Sequence, residues 1–443
     1  MKDARFGSLA DAPATVVLVG GRVVDPSAGT DEIRDLAVRD GRIVDEVPEW
    51  SERIDARGLV VAPGLCDVHA HLRTPGDAAV ETVLTGSRAA ARGGYTTVCA
   101  MPNTDPPIDT AAAVQAPTPA DAACRVRVIG AATAGRGGHA PSELAAMAAA
   151  GAVGFSDDGT AVGAEVADDI LAILAKLGLP LIEHAEDAVL ASGTVMRDGP
   201  TATRLGLVGW PARAELAVVE RDLALAAATG APLHFTHLST ASALEVVRAA
   251  RAGGMAVTCD VTPHHLAMTD EWVAGSRRFS WEEPEADESR AYDGTCRVNP
   301  PLAPREDALA LLAGVADGTV DAIATDHAPH PLERKLVPFD EAAPGLIGLE
   351  TALSLGLAAV EAGRLALPEL VAAMSARPAA IIGEKRGLGV GEMADLVAFE
   401  PGARWTVEAH GLASRSANTP LVGMELPGVV RLTVAGGRVT YRS

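Results

Sequence analysis

The sequence predicts an α/β protein: a (β/α)8 barrel of the TIM type with a small β-sandwich built from both chain ends. The middle of the chain alternates between apolar, strand-like runs and amphipathic, helix-like runs, whereas both ends contain only short strand-like runs. A length of 443 residues suits one large barrel with an accessory domain. We expect residues 1–62 and 390–443 to form the sandwich together, and residues 63–389 to form the barrel.

The spacing of apolar residues and the turn signals predict each element. Between residues 15 and 62, glycine pairs, a proline and the Asp-Gly pair at 40–41 separate short strands, and the end of the chain has the same texture. The predicted barrel strands are 64–72, 96–101, 125–131, 153–156, 179–184, 233–238, 256–261 and 322–325. The predicted helices are 81–92, 111–116, 141–149, 166–177, 213–228, 242–252, 305–313 and 349–362. A doubly wound open sheet is the alternative, but no Gly-x-Gly-x-x-Gly follows the first strand.

The overall charge and the apolar pattern exclude several classes of protein. A formal net charge of −21 repels phosphate backbones, so we expect no nucleic-acid partner and a small-molecule substrate. The five cysteines include no Cys-x-x-Cys pair, which indicates reduced thiols in a cytoplasmic protein. No secretory signal and no strongly apolar run of 18 residues is present, so we expect no membrane association. Barrel enzymes commonly self-associate, and a homo-oligomer is therefore expected.

One irregular insertion, residues 272–295, interrupts the alternating pattern. It is acidic, contains proline and lacks apolar periodicity. A solvated surface loop is the expected structure, and a mobile lid over the barrel mouth is the alternative.

The run at 67–73, Asp-Val-His-Ala-His-Leu-Arg, places polar residues at the end of an apolar strand. Because successive side chains of a strand alternate between its faces, Asp67, His69 and His71 point the same way. Two imidazoles on one strand face suit two nitrogen ligands of a divalent metal. The alternative is that both are core histidines bonded to neighbours. We expect Asp67 to orient the histidines.

The ends of the other predicted strands are also polar, and eight of the eleven histidines lie at or just past a strand end. Active sites of TIM barrels lie at that face. Four imidazoles and two carboxylates are more ligands than a single zinc ion with an open coordination position requires. They suit two metal ions bridged by a shared ligand. The candidate ligands are His69, His71, His184, His237, Asp326 and one of Asp157 and Asp158. For the remaining histidines we expect packing, ligand-supporting or surface positions: His139, His234, His264, His265, His327 and His410.

These motifs resemble the amidohydrolase superfamily and, within it, the class I (bacterial-type) dihydroorotase family. The matching runs include 101–104 (Met-Pro-Asn-Thr), 155–159 (Phe-Ser-Asp-Asp-Gly), 184–187 (His-Ala-Glu-Asp), 298–302 (Val-Asn-Pro-Pro-Leu), 325–330 (Thr-Asp-His-Ala-Pro-His) and 345–350 (Gly-Leu-Ile-Gly-Leu-Glu). His-x-His alone indicates only the superfamily, and the other runs narrow the resemblance to the dihydroorotase family within it. The resemblance covers nearly the whole chain.

The resemblance implies a site with two zinc ions per subunit. By position, its metal ligands fall on His69, His71, Asp157, His184, His237 and Asp326, with Asp157 preferred to Asp158 as the bridging residue. The implied substrate contacts fall on His71, Arg73, Asn103, Asn299, His330, Pro344 and Gly345, and the implied catalytic residue is Asp326. Thr74 stands where the family commonly has Glu, and Pro344 where an aromatic residue is common.

The implied activity is that of a dihydroorotase: reversible cyclisation of N-carbamoyl-L-aspartate to dihydroorotate plus water, in pyrimidine biosynthesis, by a zinc-bound hydroxide. Asp326 would act as general base and then acid, and Arg73 would bind the substrate carboxylate. One alternative is another cyclic-amide hydrolase (hydantoinase, dihydropyrimidinase or allantoinase). Those relatives typically bridge their metals with a carboxylated lysine, and residues 151–160 contain no lysine. The second alternative is an inactive homologue that serves as a scaffold for aspartate transcarbamoylase. The resemblance also implies aspartate transcarbamoylase as a partner of an active enzyme. A purely structural metal site is disfavoured because no cysteine is among the ligands.

Overall fold

A computed structural model describes residues 5–116 and 118–443 of the chain. In this part of the chain the strands are β1 Val16–Asp25, β2 Thr30–Arg39, β3 Arg42–Val44, β4 Glu52–Asp55, β5 Val60–Pro63, β6 Leu65–Ala70, β7 Tyr95–Ala100, β8 Arg125–Val128, β9 Gly130–Ala131, β10 Phe155–Ser156, β11 Leu181–Glu183, β12 Met196–Arg197, β13 Gly209–Trp210, β14 Leu233–Phe235, β15 Val257–Val261, β16 Ala322–Ile323, β17 Leu396–Thr406, β18 Glu425–Ala435 and β19 Arg438–Arg442. The helices are α1 Val83–Arg92, α2 Ala111–Val114, α3 Leu144–Ala149, α4 Ala164–Leu177, α5 Pro200–Leu205, α6 Arg213–Thr229, α7 Ala241–Ala252, α8 Pro263–Ala267, α9 Arg305–Asp317, α10 Ala352–Glu361, α11 Leu367–Met374 and α12 Ala376–Ile381.

Parallel strands form a closed barrel of eight positions. β6, β7 and β8 pair in that order, and β9 continues β8 and pairs with β10. From β10 the order runs through β11, β14 and β15 to β16. A parallel bridge between Ala70 and His327 closes the ring, where the His71 amide donates to the His327 carbonyl at 2.8 Å. The predicted TIM barrel is therefore confirmed.

Apolar side chains fill the barrel because its strands are covered on both faces. Every residue of β6 and β7 is buried. One core cluster inside the ring includes Cys66, Val68, Cys99, Ile182 and Ala324. The five cysteines are buried and free, and burial raises the pKa of Cys66 to about 12. Such thiols pack as apolar side chains.

Some helices begin at a side-chain cap, and others end at a glycine. Thr82 accepts a hydrogen bond from the Thr85 amide at the start of α1, and Thr240 caps α7 in the same way. Gly178 and Gly230 end α4 and α6 with φ values of 68° and 72°, a conformation that glycine adopts without strain. Among the described residues no helix is long and apolar enough to cross a membrane.

Strands from both chain ends form one sheet, in the order β19-β18-β17-β5-β1-β2-β3, with β4 also paired to β1. Hydrogen bonds between β17 and β5 join the two ends of the chain. The prediction that the ends meet is correct. The predicted sandwich is one continuous hydrogen-bonded sheet, whose inner face holds its own apolar cluster, including Leu18, Leu36, Val61 and Leu432.

The insertion at residues 272–295 is anchored at both ends and exposed in between. Trp272 is fully buried and its indole N–H donates to the Arg278 carbonyl at 2.7 Å. Arg277 pairs with Asp293 at 2.7 Å, which ties the two ends of the insertion together. The acidic middle is largely exposed, as a solvated loop requires. Two short 3-10 helices, Glu288–Arg290 and Gly294–Cys296, lie within it.

Candidate active site

His69 and His71, at the end of β6, present one ring nitrogen each to the barrel mouth. The Nδ1 of His69 lies 2.6 Å from Thr236 Oγ1, which itself donates to Asp260 Oδ2 at 3.0 Å. The Nδ1 of His71 donates to Asn103 Oδ1 at 2.7 Å. In the neutral form of each ring, a hydrogen on Nδ1 leaves the lone pair of Nε2 free. Alternation along one strand thus gives two neighbouring nitrogen ligands.

His184 and His237 follow β11 and β14 and face each other across the same space. His184 Nδ1 lies 3.0 Å from His237 Nε2, and the two rings meet edge to face with centroids 4.7 Å apart. Both side chains are buried. His237 has a φ of 39°, and its backbone amide donates to Asp260 Oδ1 at 2.7 Å. Asp260 therefore supports both His237 and, through Thr236, His69.

The aspartate between these histidines is Asp158, and the preference for Asp157 from the sequence is wrong. Asp158 Oδ1 lies 3.3 Å from His69 Nε2, and 3.7 Å from both His184 Nδ1 and His237 Nε2. The Asp157 carboxylate accepts hydrogen bonds from the amide (2.9 Å) and the hydroxyl of Thr133 instead. The physical reason is that β10 ends at Ser156, so strand alternation stops before either aspartate.

Asp326 completes the cluster from the strand end after β16. Its Oδ1 lies 2.9 Å from His71 Nε2 and 3.5 Å from His69 Nε2. Burial acts to raise the pKa of Asp326, but His69 and His71 outweigh it and hold the pKa well below its usual range. Its carboxylate is therefore ionised at neutral pH. A φ of 44° aims it into the cavity, a strained conformation of the kind found at functional sites.

These side chains fit a divalent metal. His69 Nε2 is buried without a hydrogen-bond partner, which is costly unless something else binds that lone pair. The ligand atoms of His69, His71 and Asp158 lie within 4.8 Å of one another, and so do those of Asp158, His184 and His237. Imidazole nitrogens and a carboxylate are ligands for zinc and similar ions. Two such groups that share Asp158 define a divalent-metal site.

A cavity of about 250 Å³ opens beside this cluster. The structure brings all of the predicted substrate contacts to its wall. They are His71, Arg73, Asn103, Asn299, His330, Pro344 and Gly345. The cavity therefore combines a metal site with a ring of polar groups that can orient a small polar ligand.

Arg73 supplies the positive charge of the cavity. Its Nε and Nη2 donate to the Pro329 carbonyl at 3.3 and 3.2 Å. Burial lowers the pKa of Arg73, although Asp326 and Asp158 act in the opposite direction. Within residues 5–116 and 118–443 no carboxylate lies within the 4.0 Å of an ion pair with it. A partly buried guanidinium that lacks a carboxylate partner and lines a cavity suits an anionic ligand.

Asn103 bridges two members of the cluster. Besides accepting from His71, it donates from Nδ2 to Asp158 Oδ2 at 2.9 Å. An amide has two donor and two acceptor positions, so one of each is left for a ligand. Asn299 lies on the other side, with Nδ2 3.4 Å from His184 Nε2.

His330 lines the same cavity as Arg73. Its Nε2 donates to the Pro344 carbonyl at 2.8 Å. Burial, followed by the charges of Arg73 and Lys335, lowers the pKa of His330 to about 4. The neutral ring therefore has a free Nδ1 acceptor at neutral pH.

Asp67, which the sequence places beside the two histidines, bonds mainly to the last barrel strand. Its carboxylate accepts from the Thr325 amide at 2.9 Å, the Thr325 hydroxyl at 2.5 Å and the His69 amide at 3.2 Å. It fixes the backbone of His69 and helps to close the barrel. His234 and His265, expected to pack, bond to Asp260 at 2.8 Å and to the Pro300 carbonyl at 2.9 Å.

Sequence reasoning missed the residues that hold these groups in place. Thr133 and Thr236 have no motif of their own, and Lys335 and Asn418 lie in irregular segments. Asn418 lies close to the C-terminal sheet in sequence, yet its Nδ2 donates to the Ala328 carbonyl at 3.0 Å. A weak signal for one of them is a lysine next to apolar residues, since Lys335 precedes Leu336 and Val337.

The fold and site together define a metal-dependent hydrolase of the amidohydrolase type. A model of the "Dihydro-orotase-like" family matches residues 58–243. Proteins named dihydroorotase are similar over almost the whole chain: one from Geobacter metallireducens is 41% identical, covering 96% of this chain and 99% of its own. One from Anaeromyxobacter dehalogenans strain 2CP-C is 44% identical, covering 95% and 96%. The chain belongs to the dihydroorotase family.

Solved structures give the same fold. The L-hydantoinase (dihydropyrimidinase) from Arthrobacter aurescens is 26% identical, with a TM-score of 0.83 and 96% of each chain covered. A D-hydantoinase (dihydropyrimidinase) from Thermus sp. has a TM-score of 0.78 at 24% identity, covering 96% of this chain and 95% of its own. The likeness to the second shows the barrel and the terminal sheet alone.

Proposed function

We propose that this protein catalyses the reversible cyclisation of N-carbamoyl-L-aspartate to (S)-dihydroorotate and water, in de novo pyrimidine biosynthesis, as a class I member of its family. Full-length identity of 41% and 44% to proteins named dihydroorotase supports this activity. The observation that carries the proposal is the cavity, which is lined both by members of the metal cluster and by Arg73, a partly buried guanidinium without a carboxylate partner among the described residues. Such a cavity suits a small anionic cyclic amide.

We propose that two zinc ions occupy the cluster. Two imidazoles lie on each side of one carboxylate, and the donors are nitrogen and oxygen only. When bound, such ions polarise an amide carbonyl and lower the pKa of water. The residues that would hold them are His69, His71, His184, His237, Asp326 and the shared Asp158.

Asp326 is the proposed general base and acid. Its ionised carboxylate faces the cavity, 2.9 Å from His71 Nε2. In the hydrolytic direction an Asp326 oxygen accepts a proton from the attacking water and then delivers it to the departing ring nitrogen. In the cyclisation direction the same carboxylate moves the proton the opposite way. Its surroundings favour the ionised form, as the first step requires.

The substrate carboxylate is proposed to bind Arg73, whose planar fork matches two carboxylate oxygens. His330 and Asn103 border the same part of the cavity and can add hydrogen bonds. Asn299 and the backbone at Pro344 and Gly345 also line the cavity and are proposed to bind the ring amide groups. In this way a chain with a formal net charge of −21 can hold an anion.

The test is a comparison of substrates. Metal-loaded protein should hydrolyse dihydroorotate with a kcat/KM far above that for hydantoin or allantoin, measured side by side. The hydantoinase fold is the same, so a better turnover of hydantoin would overturn the proposal. Two further predictions are that the protein forms a homo-oligomer and that it binds an aspartate transcarbamoylase. Light scattering with and without that partner tests both.

A further inference from the structure

Lys335 is a buried lysine whose ammonium group bonds only to backbone carbonyls. Its Nζ lies 2.9 Å from the Arg297 carbonyl, 2.6 Å from the Ala343 carbonyl and 2.9 Å from the Gly345 carbonyl. The residue is 1% exposed, and within the described part of the chain no carboxylate forms an ion pair with it. Three donors thus meet three acceptors, which uses the full hydrogen-bonding capacity of an ammonium group.

The three carbonyls belong to two segments that form one wall of the cavity. Arg297 lies two residues before Asn299, and Ala343 and Gly345 flank Pro344. The Gly345 amide also donates to the Arg297 carbonyl at 2.9 Å. We define the substrate wall as residues 297–299 together with residues 343–345. Lys335 joins the two segments of this wall from behind, on the side away from the ligand.

The wall has little freedom of its own. Gly345 has a φ of 123°, and a Cβ there would lie 2.7 Å from the Ala328 Cβ. Its carbonyl accepts from Asn418 Nδ2 at 3.2 Å as well as from Lys335. The Pro344 carbonyl is held by His330. Without the ammonium group, three carbonyls of the wall would lose a buried charged donor.

We propose that Lys335 is a positioning residue for substrate binding, which holds the substrate wall so that Asn299, Pro344 and Gly345 meet the cyclic amide. This inference rests on the proposed function and adds a residue that does not touch the substrate. The metal cluster and Asp326 are supported separately, through Thr236, Asn103 and the barrel strands. Loss of Lys335 should therefore weaken substrate binding more than it slows the chemical step.

The inference also predicts that substrate binding changes the pKa of Lys335. Burial lowers the pKa of Lys335 to about 7; Cys296 and Asp293 act in the opposite direction, and Arg297 adds to the lowering. His330, kept neutral, and the Cys296 thiol are the titratable groups whose pKa this charge lowers. If the protonated form holds the wall for the substrate, bound substrate must raise the pKa of Lys335 by linkage.

The first experiment compares Lys335→Met with Lys385→Met, because Lys385 is exposed and serves as the matched control. In the metal-loaded enzyme Lys335→Met should raise the KM for dihydroorotate about tenfold or more, with kcat within about threefold of wild type. Lys385→Met should match wild type in both. An unchanged KM in Lys335→Met, or a fall in kcat without a rise in KM, would overturn the inference. Absence of dihydroorotate turnover in wild type would instead overturn the proposed function.

The second experiment uses the unmodified holoenzyme and decides the matter if Lys335→Met fails to fold. The sequence contains four lysines, so ¹³Cε-lysine labelling gives a simple spectrum. One lysine should titrate near pH 7, and its midpoint should rise when N-carbamoyl-L-aspartate and dihydroorotate are added at equilibrium. A midpoint that is the same with and without these compounds, or no lysine that titrates below pH 9, would refute the inference.

Discussion

Asp158→Asn and Asp157→Asn form a pair of variants that separates the two adjacent aspartates. Asp158 Oδ1 and His69 Nε2 are 3.3 Å apart, and a metal ion bound by both lies closer than that to the carboxylate. At an effective dielectric constant of about 20, loss of a unit charge at 3.3 Å costs about 5 kcal/mol per positive charge of the ion. Counted for a single positive charge of the ion, that equals a loss of about 10³- to 10⁴-fold in metal affinity, and a divalent ion would lose more. Asp158→Asn should therefore lose metal and turnover together.

Asp157→Asn should keep both. The Asp157 carboxylate accepts two hydrogen bonds from Thr133, and an amide can replace only one of these acceptors. We expect a loss of about 1–3 kcal/mol in the free energy of unfolding, with metal content unchanged. The assay is metal content by mass spectrometry, kcat/KM for dihydroorotate and denaturant unfolding, on all three proteins. Retention of metal by Asp158→Asn, with its loss in Asp157→Asn, would refute the assignment of Asp158.

Three further predictions concern the neighbours of the cluster. Asp326→Ala should abolish turnover while circular dichroism shows a folded protein, and residual turnover near the wild-type rate would remove Asp326 from its proposed role. Arg73→Lys should raise KM for dihydroorotate more than it changes kcat, since an ammonium cannot bind two carboxylate oxygens as a fork; equal KM values would contradict this. Thr236→Val should weaken zinc affinity by about 10- to 100-fold in chelator competition, because it removes the hydroxyl between His69 and Asp260. Unchanged affinity would show that the hydroxyl does not orient His69.

The sequence predicted the barrel because strand-like and helix-like runs alternate through the middle of the chain. It predicted that the two chain ends meet because both contain only short strand-like runs. Strand alternation predicted that His69 and His71 share one site, and they do, although β6 ends at Ala70 and His71 lies just beyond it. The same rule could not choose between Asp157 and Asp158. β10 is only two residues long, and the chain turns directly after it. Local geometry at a strand end depends on tertiary contacts, here the hydrogen bonds to Thr133.

Other elements escaped prediction for related reasons. α11, at Leu367–Met374, is buried along most of its length, and α12, at Ala376–Ile381, has only six residues; neither helix was predicted. Lys335 and Asn418 act through backbone carbonyls, and backbone partners leave no pattern in a sequence. The sequence did predict that Trp272 to Thr295 forms a surface loop. It could not show that Trp272 anchors the loop, because burial of one aromatic side chain depends on the whole fold.

Anomalous diffraction at the zinc edge, from crystals of the zinc-loaded protein, tests the central claim most directly. We predict two peaks about 3.5–4 Å apart, on either side of the Asp158 carboxylate. One should lie beside His69, His71 and Asp326, and the other beside His184 and His237. A single peak, or a peak bound by Asp157 with none at Asp158, would contradict the two-metal site.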